Sequence, residues 1–158
     1  MHTQTVSAVV ALGANLGDAW QTVQQAIQDM SALPDIRLMK ASSCYRTAPH
    51  QALGPDFVNA VVLLETALSA HQLLIVLQTL EHTAGRTRTY KNAPRTLDLD
   101  LIFYGEQLLT TPELTVPHPR WRERAFVLLP LAEICPERVS PALLLAVQHQ
   151  EIQRISRA

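Results

Sequence analysis

Two aspartates in the segment Pro94-Arg95-Thr96-Leu97-Asp98-Leu99-Asp100-Leu101 have a spacing that suits cation binding. If the segment is a strand, alternation sends Asp98 and Asp100 to one face and the leucines to the other. A rise of about 3.3 Å per residue puts their Cα atoms roughly 6.5 to 7 Å apart. Mg²⁺ takes oxygen ligands and commonly binds one or two carboxylates beside water and phosphate oxygens. The pair therefore indicates a metal site that handles phosphate, and the alternative is an exposed polar strand face.

The stretch before this pair is rich in basic residues. Arg86, Arg88, Lys91 and Arg95 lie between Gly85 and the aspartates. Guanidinium groups offer planar, paired donors to phosphate oxygens. Alone, such a stretch is more often a solvated basic loop, but beside two aligned carboxylates it favours binding of a polyphosphate.

Other candidate binding groups lie outside this region. His118 is followed by three arginines, and this company favours donation to a phosphate oxygen over the usual structural role of a lone histidine. Phe57 and Phe126, two of only three phenylalanines, each lie where an apolar element meets a polar loop. Such rings are usually core, but across a cleft they would sandwich a flat heterocycle, with the Asn59 amide bonding to its edge. The turn after Gly13 is a weak phosphate loop, or a tight turn where backbone approaches a flat ligand.

The composition favours one globular domain over 1–158. With 47% hydrophobic residues the chain is too apolar to be disordered, and without an apolar run near 20 residues we expect no membrane span. A net charge of −1 argues against a nucleic-acid or anionic-membrane surface. Cys44 and Cys135 form no Cys-x-x-Cys pair, so we expect reduced, buried thiols. The N-terminus does not resemble a secretory signal, and we expect a cytoplasmic protein.

The elements that must position these residues follow from hydrophobic patterning. Apolar runs and alternation predict strands over 6–12, 36–45, 57–64 and 97–104. A helix is predicted from the N-cap Asp18 to about Met30, and a second from a capping box of Ser69 and Gln72 to about Gly85. The resulting order is the α+β, ferredoxin-like pattern, with helices covering one face of a mainly antiparallel sheet. Shorter helices are predicted over 120–131 and 141–148.

Six segments taken together resemble one family. They are Gly13-Ala14-Asn15-Leu16-Gly17, Tyr45-Arg46-Thr47-Ala48-Pro49, Phe57-Val58-Asn59-Ala60, Glu81 to Arg86, Pro94 to Asp100 and Val116-Pro117-His118-Pro119. The chain resembles 6-hydroxymethyl-7,8-dihydropterin pyrophosphokinase as far as Pro136, and the Arg-Thr-Leu-Asp-Leu-Asp run is highly specific to that family. The resemblance implies a ferredoxin-like enzyme of folate biosynthesis that transfers pyrophosphate from ATP to the hydroxymethyl group of the pterin and releases AMP.

The resemblance also implies which residues form the site. Asp98 and Asp100 would hold two Mg²⁺ ions, and Arg86 and Arg95, on the nucleotide side, would join them in catalysis. The pterin site would comprise Gly13, Thr47, Ala48, Phe57, Asn59 and Phe126. The ATP site would comprise Gln78, Glu81, Arg88, Leu101, Thr115, His118 and Arg124.

This sequence departs from the family pattern at three places. Ala14 stands where serine is common, and Asn92, with Tyr90 nearby, stands where a tryptophan of the catalytic loop is often found. Pro119 replaces a tyrosine that contacts nucleotide in some members, so that contact is not carried over. The loops 47–56 and 86–95 are predicted to close over both substrates, since water left in the site would compete for the phosphoryl group.

Two other functions are compatible with the pattern. A ferredoxin-like regulatory module could bind a nucleotide or an amino acid without turnover, because the fold hosts many functions. A nucleotidyltransferase could use the same carboxylate pair and would release pyrophosphate instead of AMP. For the pyrophosphokinase we expect a monomer whose partners are the small molecules ATP and 6-hydroxymethyl-7,8-dihydropterin, with no nucleic acid and no membrane.

Overall fold

The structure is a computed structural model, and it describes residues 4–48, 55–85 and 97–156. In chain order the elements are β1 (Val6–Ala14), α1 (Ala19–Ser31), β2 (Ile36–Ala41), β3 (Tyr45–Thr47), β4 (Phe57–Thr66), α2 (Ala70–Ala84), β5 (Asp98–Tyr104), β6 (Leu109–Thr110), β7 (Thr115–Val116), α3 (Ala125–Ile134), α4 (Pro141–Ala146) and β8 (Ile152–Arg154). Short 3₁₀ turns occupy Trp121–Glu123 and Pro136–Arg138.

One antiparallel sheet contains six of the eight strands that the structure describes. Its strand order is β5-β1-β4-β3-β8, and β2 also pairs with β4. β1 lies between β5 and β4 and pairs along its whole length with β4, from Val6 opposite Thr66 to Ala14 opposite Val58. The predicted α+β, ferredoxin-like fold is confirmed, and β6 and β7 form a separate two-stranded sheet.

Helices pack on both faces of this sheet. Val10 and Leu12 of β1 point into a core shared with α1 and α2, whereas Val9 and Ala11 point into a second core with α3. The sequence pattern predicted that α1 and α2 lie on one face but assigned α3 to neither. Because β1 and β4 are buried on both faces along most of their length, their pairing register is strongly specified.

The predicted strand over 36–45 is two strands in the structure. Its continuity ends at Ser42, whose backbone N–H and side-chain oxygen both bond to Val61, at 2.9 Å each. Beyond this break Tyr45–Thr47 forms β3, which pairs with β4 on one side and with β8 on the other. Thr47, expected at the start of a loop, therefore lies in a paired strand, because the C-terminal β8 completes the sheet there.

The alternation of β5 is interrupted near its end. Leu99 and Leu101 face the α1 and α2 core, as predicted, but Ile102 and Phe103 both face the α3 core. A register shift opposite Val9 and Val10 of β1 accounts for this, since a bulge adds one residue to β5. Asp98 and Asp100 precede the bulge and share the α3 face, so their predicted common orientation is confirmed.

The helix ends follow the predicted chemistry in two of three cases. Asp18 caps α1, and Ser69 and Gln72 form the reciprocal capping box of α2. The helix predicted from residue 120 begins instead at Ala125, because Arg124 is extended (φ −117°, ψ 111°).

Cys44 and Cys135 are buried thiols, as expected. Among the described residues, every helix is too short or too polar to cross a membrane.

Candidate active site

Three neighbouring strands bring predicted site residues into one row on the α3 face. Gly13 of β1 lies opposite Asn59 of β4 and opposite Asp98 of β5. Residues directly opposite in an antiparallel pair have side chains on the same face, about 5 Å apart. Asn59, which is predicted to bind the pterin, and Asp98, which is predicted to bind metal, therefore lie on either side of Gly13.

Gly13 leaves the space between these two side chains open. A Cβ built on Gly13 would lie 3.0 Å from Asn59 Nδ2, closer than side chains normally approach. The amide is held from its other end by the Thr47 hydroxyl, which donates to Asn59 Oδ1 at 2.9 Å in a buried bond. With the oxygen engaged, Nδ2 faces Gly13, and this orientation suits recognition of an acceptor on a flat ligand.

The two phenylalanine rings that are predicted to sandwich the pterin lie on the same side of the sheet. Phe57 begins β4 two residues before Asn59, so both share the α3 face. Phe126 lies in the first turn of α3 and is half-buried against the α3 core. The Arg124 guanidinium lies 5.3 Å from the Phe126 ring centroid, a cation–π contact between a predicted ATP residue and a predicted pterin residue.

Asp98 and Asp100 provide the carboxylates of the site. Asp98 is exposed, whereas Asp100 is half-buried next to the segment of His118. Two oxygen donors on one strand face fit Mg²⁺, which takes its other ligands from water and phosphate. Within 4–48, 55–85 and 97–156, three or more His, Cys, Asp or Glu residues nowhere gather into a closed metal cage. Two carboxylates leave coordination positions open for water and phosphate oxygens, so the donor set fits a cation bound together with a phosphate ligand.

Glu81 supports this pair from α2. Its Oε2 accepts a hydrogen bond of 2.8 Å from the backbone N–H of Leu99, the residue between the two aspartates. β5 is the edge strand of the sheet, so this N–H would otherwise lack a strand partner. The glutamate thus fixes the backbone from which both carboxylates project.

His118 is held as a neutral ring beside Asp100. Burial lowers the pKa of His118; Asp100 raises it, and Arg124 and Arg120 lower it further. Its Nδ1 accepts the backbone N–H of Arg120 at 3.1 Å, so a neutral ring carries its proton on Nε2. This tautomer leaves Nε2 as a hydrogen-bond donor, which is the role predicted for it towards phosphate.

The remaining predicted ATP residues surround the outer edge of β5. Gln78 is exposed on α2, and Thr115 is half-buried on β7, which contacts β5. The Leu101 side chain is buried in the core, so a nucleotide contact there would involve its backbone. Ala48, predicted for the pterin, is exposed directly after β3. Arg86, Arg88, Arg95, Tyr90, Asn92 and the two predicted lid segments beyond residues 48 and 85 lie outside the described residues.

A sequence profile of the 7,8-dihydro-6-hydroxymethylpterin-pyrophosphokinase (HPPK) family matches residues 9–136. The chain belongs to this family. The 2-amino-4-hydroxy-6-hydroxymethyldihydropteridine pyrophosphokinase of Synechocystis is 44% identical over 138 residues, which cover 87% of this chain and 71% of the relative. The pyrophosphokinase of the same name from Pseudomonas aeruginosa is 42% identical over 153 residues, covering 92% and 94%.

Solved structures of the family share the fold. A crystal structure of Plasmodium falciparum HPPK-DHPS with pteroate matches with a TM-score of 0.72 at 13% identity, covering 94% of this chain. This chain spans only 43% of that longer one. At such low identity the likeness shows the fold alone.

Sequence reasoning missed a cluster that links α3 to β3. Tyr45 donates to Glu133 Oε2 at 2.7 Å, and the backbone and hydroxyl of Ser43 donate to Oε1 at 2.9 and 2.8 Å. Burial raises the pKa of Tyr45 to about 12, helped by the hydrogen bond to Glu133. Burial alone would raise the pKa of Glu133, but the bonds from Tyr45 and Ser43 outweigh it and hold that pKa low. The partners are too far apart in sequence for any local signal to join them.

Gly13→Ala tests the open space beside Asn59. The new methyl group would press on Asn59 Nδ2, and we expect the Kd of the pterin substrate to rise by about 10-fold or more as the amide is displaced. The Kd of ATP should change little. Calorimetric titration with each ligand measures both, and an unchanged pterin Kd would contradict the role of this space.

Glu81→Ala and Glu81→Gln test the support of the aspartate pair. Loss of a group that orients metal ligands typically weakens metal affinity about 10-fold or more. We expect Glu81→Ala to raise the Mg²⁺ concentration needed for half-maximal turnover by that factor. Glu81→Gln keeps an acceptor for the Leu99 N–H and should stay near wild type, as should the exposed neighbour variant His82→Ala. A glutamine variant as impaired as the alanine variant would contradict the hydrogen-bond explanation.

Proposed function

We propose that this chain transfers the pyrophosphoryl group of ATP to the hydroxymethyl oxygen of 6-hydroxymethyl-7,8-dihydropterin and releases AMP. Family membership supports the reaction. The observation that carries the proposal is the row in which Asn59, Gly13 and Asp98 lie side by side. It puts an amide suited to a heterocycle edge next to a carboxylate pair suited to metal-bound phosphate.

The pterin would bind over Gly13 between the rings of Phe57 and Phe126. Aromatic rings prefer stacked or edge contacts with a flat partner, and both lie on the α3 face of the sheet. Asn59, oriented by Thr47, would bond to the edge of the heterocycle. This arrangement directs the hydroxymethyl group along the row towards Asp98.

ATP would lie along the outer edge of β5, between α2 and His118. Arg124 and the donor on His118 Nε2 would bind phosphate oxygens, and we propose that Arg86, Arg88 and Arg95 add further charge there. Gln78, Glu81, Leu101 and Thr115 line the nucleotide side. The hydroxymethyl oxygen would then attack the β-phosphorus in line with the departing AMP oxygen.

We propose that Asp98 and Asp100 hold two Mg²⁺ ions in this complex. When bound, such ions neutralise charge on the attacking and leaving oxygens. The role of the chain is to hold both carboxylates on one face through β1 pairing and through Glu81. The hydroxyl proton would leave to solvent or to Asp100, which is a weak base while it binds a cation.

Several broader expectations belong to the same proposal. We propose that 1–158 is one pyrophosphokinase domain, since both cores are built on the same sheet. It would act as a monomer in the cytoplasm on small molecules, and its net charge of −1 gives no reason to expect a nucleic-acid partner. Both cysteines are buried thiols, which suits a reducing compartment.

Product analysis with isosteric variants tests the reaction and its metal ligands together. Purified protein with ATP, Mg²⁺ and the hydroxymethyl pterin should form AMP only when the pterin is present. We expect Asp98→Asn and Asp100→Asn to lower turnover by roughly 100-fold or more, because charge stabilisation in the transition state is lost.

The control is Asp35→Asn, a change of the same type at an exposed aspartate before β2. It should turn over like wild type. Pyrophosphate as the product would indicate a nucleotidyltransferase, and ATP binding without turnover would indicate a regulatory module. Full activity in both site variants would contradict the metal assignment.

A further inference from the structure

Gln150, in the turn between α4 and β8, clamps the backbone that leads into α3. Its Oε1 accepts the backbone N–H of Ala125 at 2.9 Å, and its Nε2 donates to the backbone carbonyl of Glu123 at 2.7 Å. One side-chain amide therefore bridges the residues on both sides of Arg124. The partners are separated by 25 and 27 residues in sequence, and Gln150 lies beyond the region 9–136 that matches the family profile.

This clamp replaces a cap that the helix does not have. The first backbone N–H groups of a helix need partners from outside the helix. Arg124 occupies the N-cap position of α3 but makes no side-chain cap bond, and it is extended. Gln150 supplies the missing acceptor at Ala125 and simultaneously holds the preceding carbonyl. The conformation of the turn is thus set by a residue from another part of the chain.

The clamped turn carries two proposed substrate contacts. Arg124 lies between the two clamped residues, and Phe126 follows Ala125 directly. The guanidinium of Arg124 stacks on the Phe126 ring at 5.3 Å, so a shift of the turn moves both groups together. Displacement of a binding group by about 1 Å is enough to cost a large factor in activity.

The backbone of Gln150 leads from the α3 core to the strand that pairs with β3. Its backbone N–H bonds to the Val147 carbonyl at 2.9 Å, and Val147 is buried in the α3 core. Two residues later β8 begins, and Ile152 pairs with Thr47, whose hydroxyl orients Asn59. The segment from Val147 to Ile152 therefore connects two parts of the candidate site. One is β3, which holds Asn59 through Thr47, and the other is the turn that precedes Phe126.

We propose that Gln150 is a positioning residue of the pterin site, which sets the distance of Phe126 from the Asn59 row. The inference rests on the proposed function, because it assigns Phe126 to the pterin. It adds a residue from the C-terminal segment to a site otherwise built from residues 13 to 126. Gln150 touches neither substrate and acts only through the backbone of 123–125.

A double-mutant cycle with Phe126 separates positioning from a general structural role. We would measure the Kd of the hydroxymethyl pterin by calorimetry, with a nonhydrolysable ATP analogue bound, for wild type, Gln150→Ala, Phe126→Ala and the double variant. Loss of the clamp should raise the pterin Kd roughly 3- to 10-fold in the wild-type background, the equivalent of one or two hydrogen bonds. In the Phe126→Ala background the same change should raise it less than about 2-fold, since the group being positioned is absent.

The controls use the same segment. Gln153→Ala removes an exposed glutamine of β8 and should leave the pterin Kd unchanged. If Gln150→Ala does not fold, Gln150→Glu enters the same cycle, because it keeps the shape and the acceptor for Ala125 but loses the donor to Glu123. Thermal melting of each variant checks that the folded state is compared.

Two results would overturn the inference. One is an unchanged pterin Kd in the folded Gln150 variant, and the other is an equal increase in both backgrounds. Wild-type protein that neither binds the pterin nor forms AMP would instead contradict the proposed function, so the two failures are distinguishable.

Discussion

The pairing of β1 with β4 and β5 determines the geometry of the whole candidate site. Gly13 can stand between Asn59 and Asp98 only because β1 lies between β4 and β5 and both partner strands are in register with it. A slip of one residue would turn Asn59 and the aspartate pair to the opposite face and would also expose the apolar residues of both cores. The free energy that stabilises the sheet therefore also fixes the relative positions of Asn59, Gly13 and the aspartate pair.

Sequence patterns predicted the parts of the site that depend on local geometry. Alternation in β5 predicted that Asp98 and Asp100 share a face, and the capping box predicted the start of α2, which brings Glu81 to β5. Patterns did not predict β3, β8 or the face on which α3 lies. Those features depend on partners such as Tyr45 and Glu133, 88 positions apart, and short segments gain their stability from such pairings instead of from their own propensity.

The charge distribution of the site combines a neutral donor with fixed charges. Burial lowers the pKa of His118 and outweighs the opposite influence of Asp100, so the neutral ring is favoured. A neutral donor can bond to a phosphate oxygen without attracting Asp100 away from a cation, whereas a second positive charge there would compete for that carboxylate. A neutral His118 therefore leaves Asp100 available to a cation, while Arg120 and Arg124 supply positive charge near the ring.

The two faces of the sheet have different roles because their polar content differs. The α1 and α2 core is built from aliphatic residues such as Val10, Leu12 and Leu64, each almost completely buried. The α3 face instead buries Thr47 and Asn59, and a buried amide is destabilising unless it is hydrogen-bonded. Their mutual bond limits this cost, and the clamp at residues 123–125 stabilises a helix start that has no cap of its own. The apolar residues of both cores, such as Leu64 on one face and Leu131 on the other, are buried together with these polar groups and stabilise the sheet that carries them.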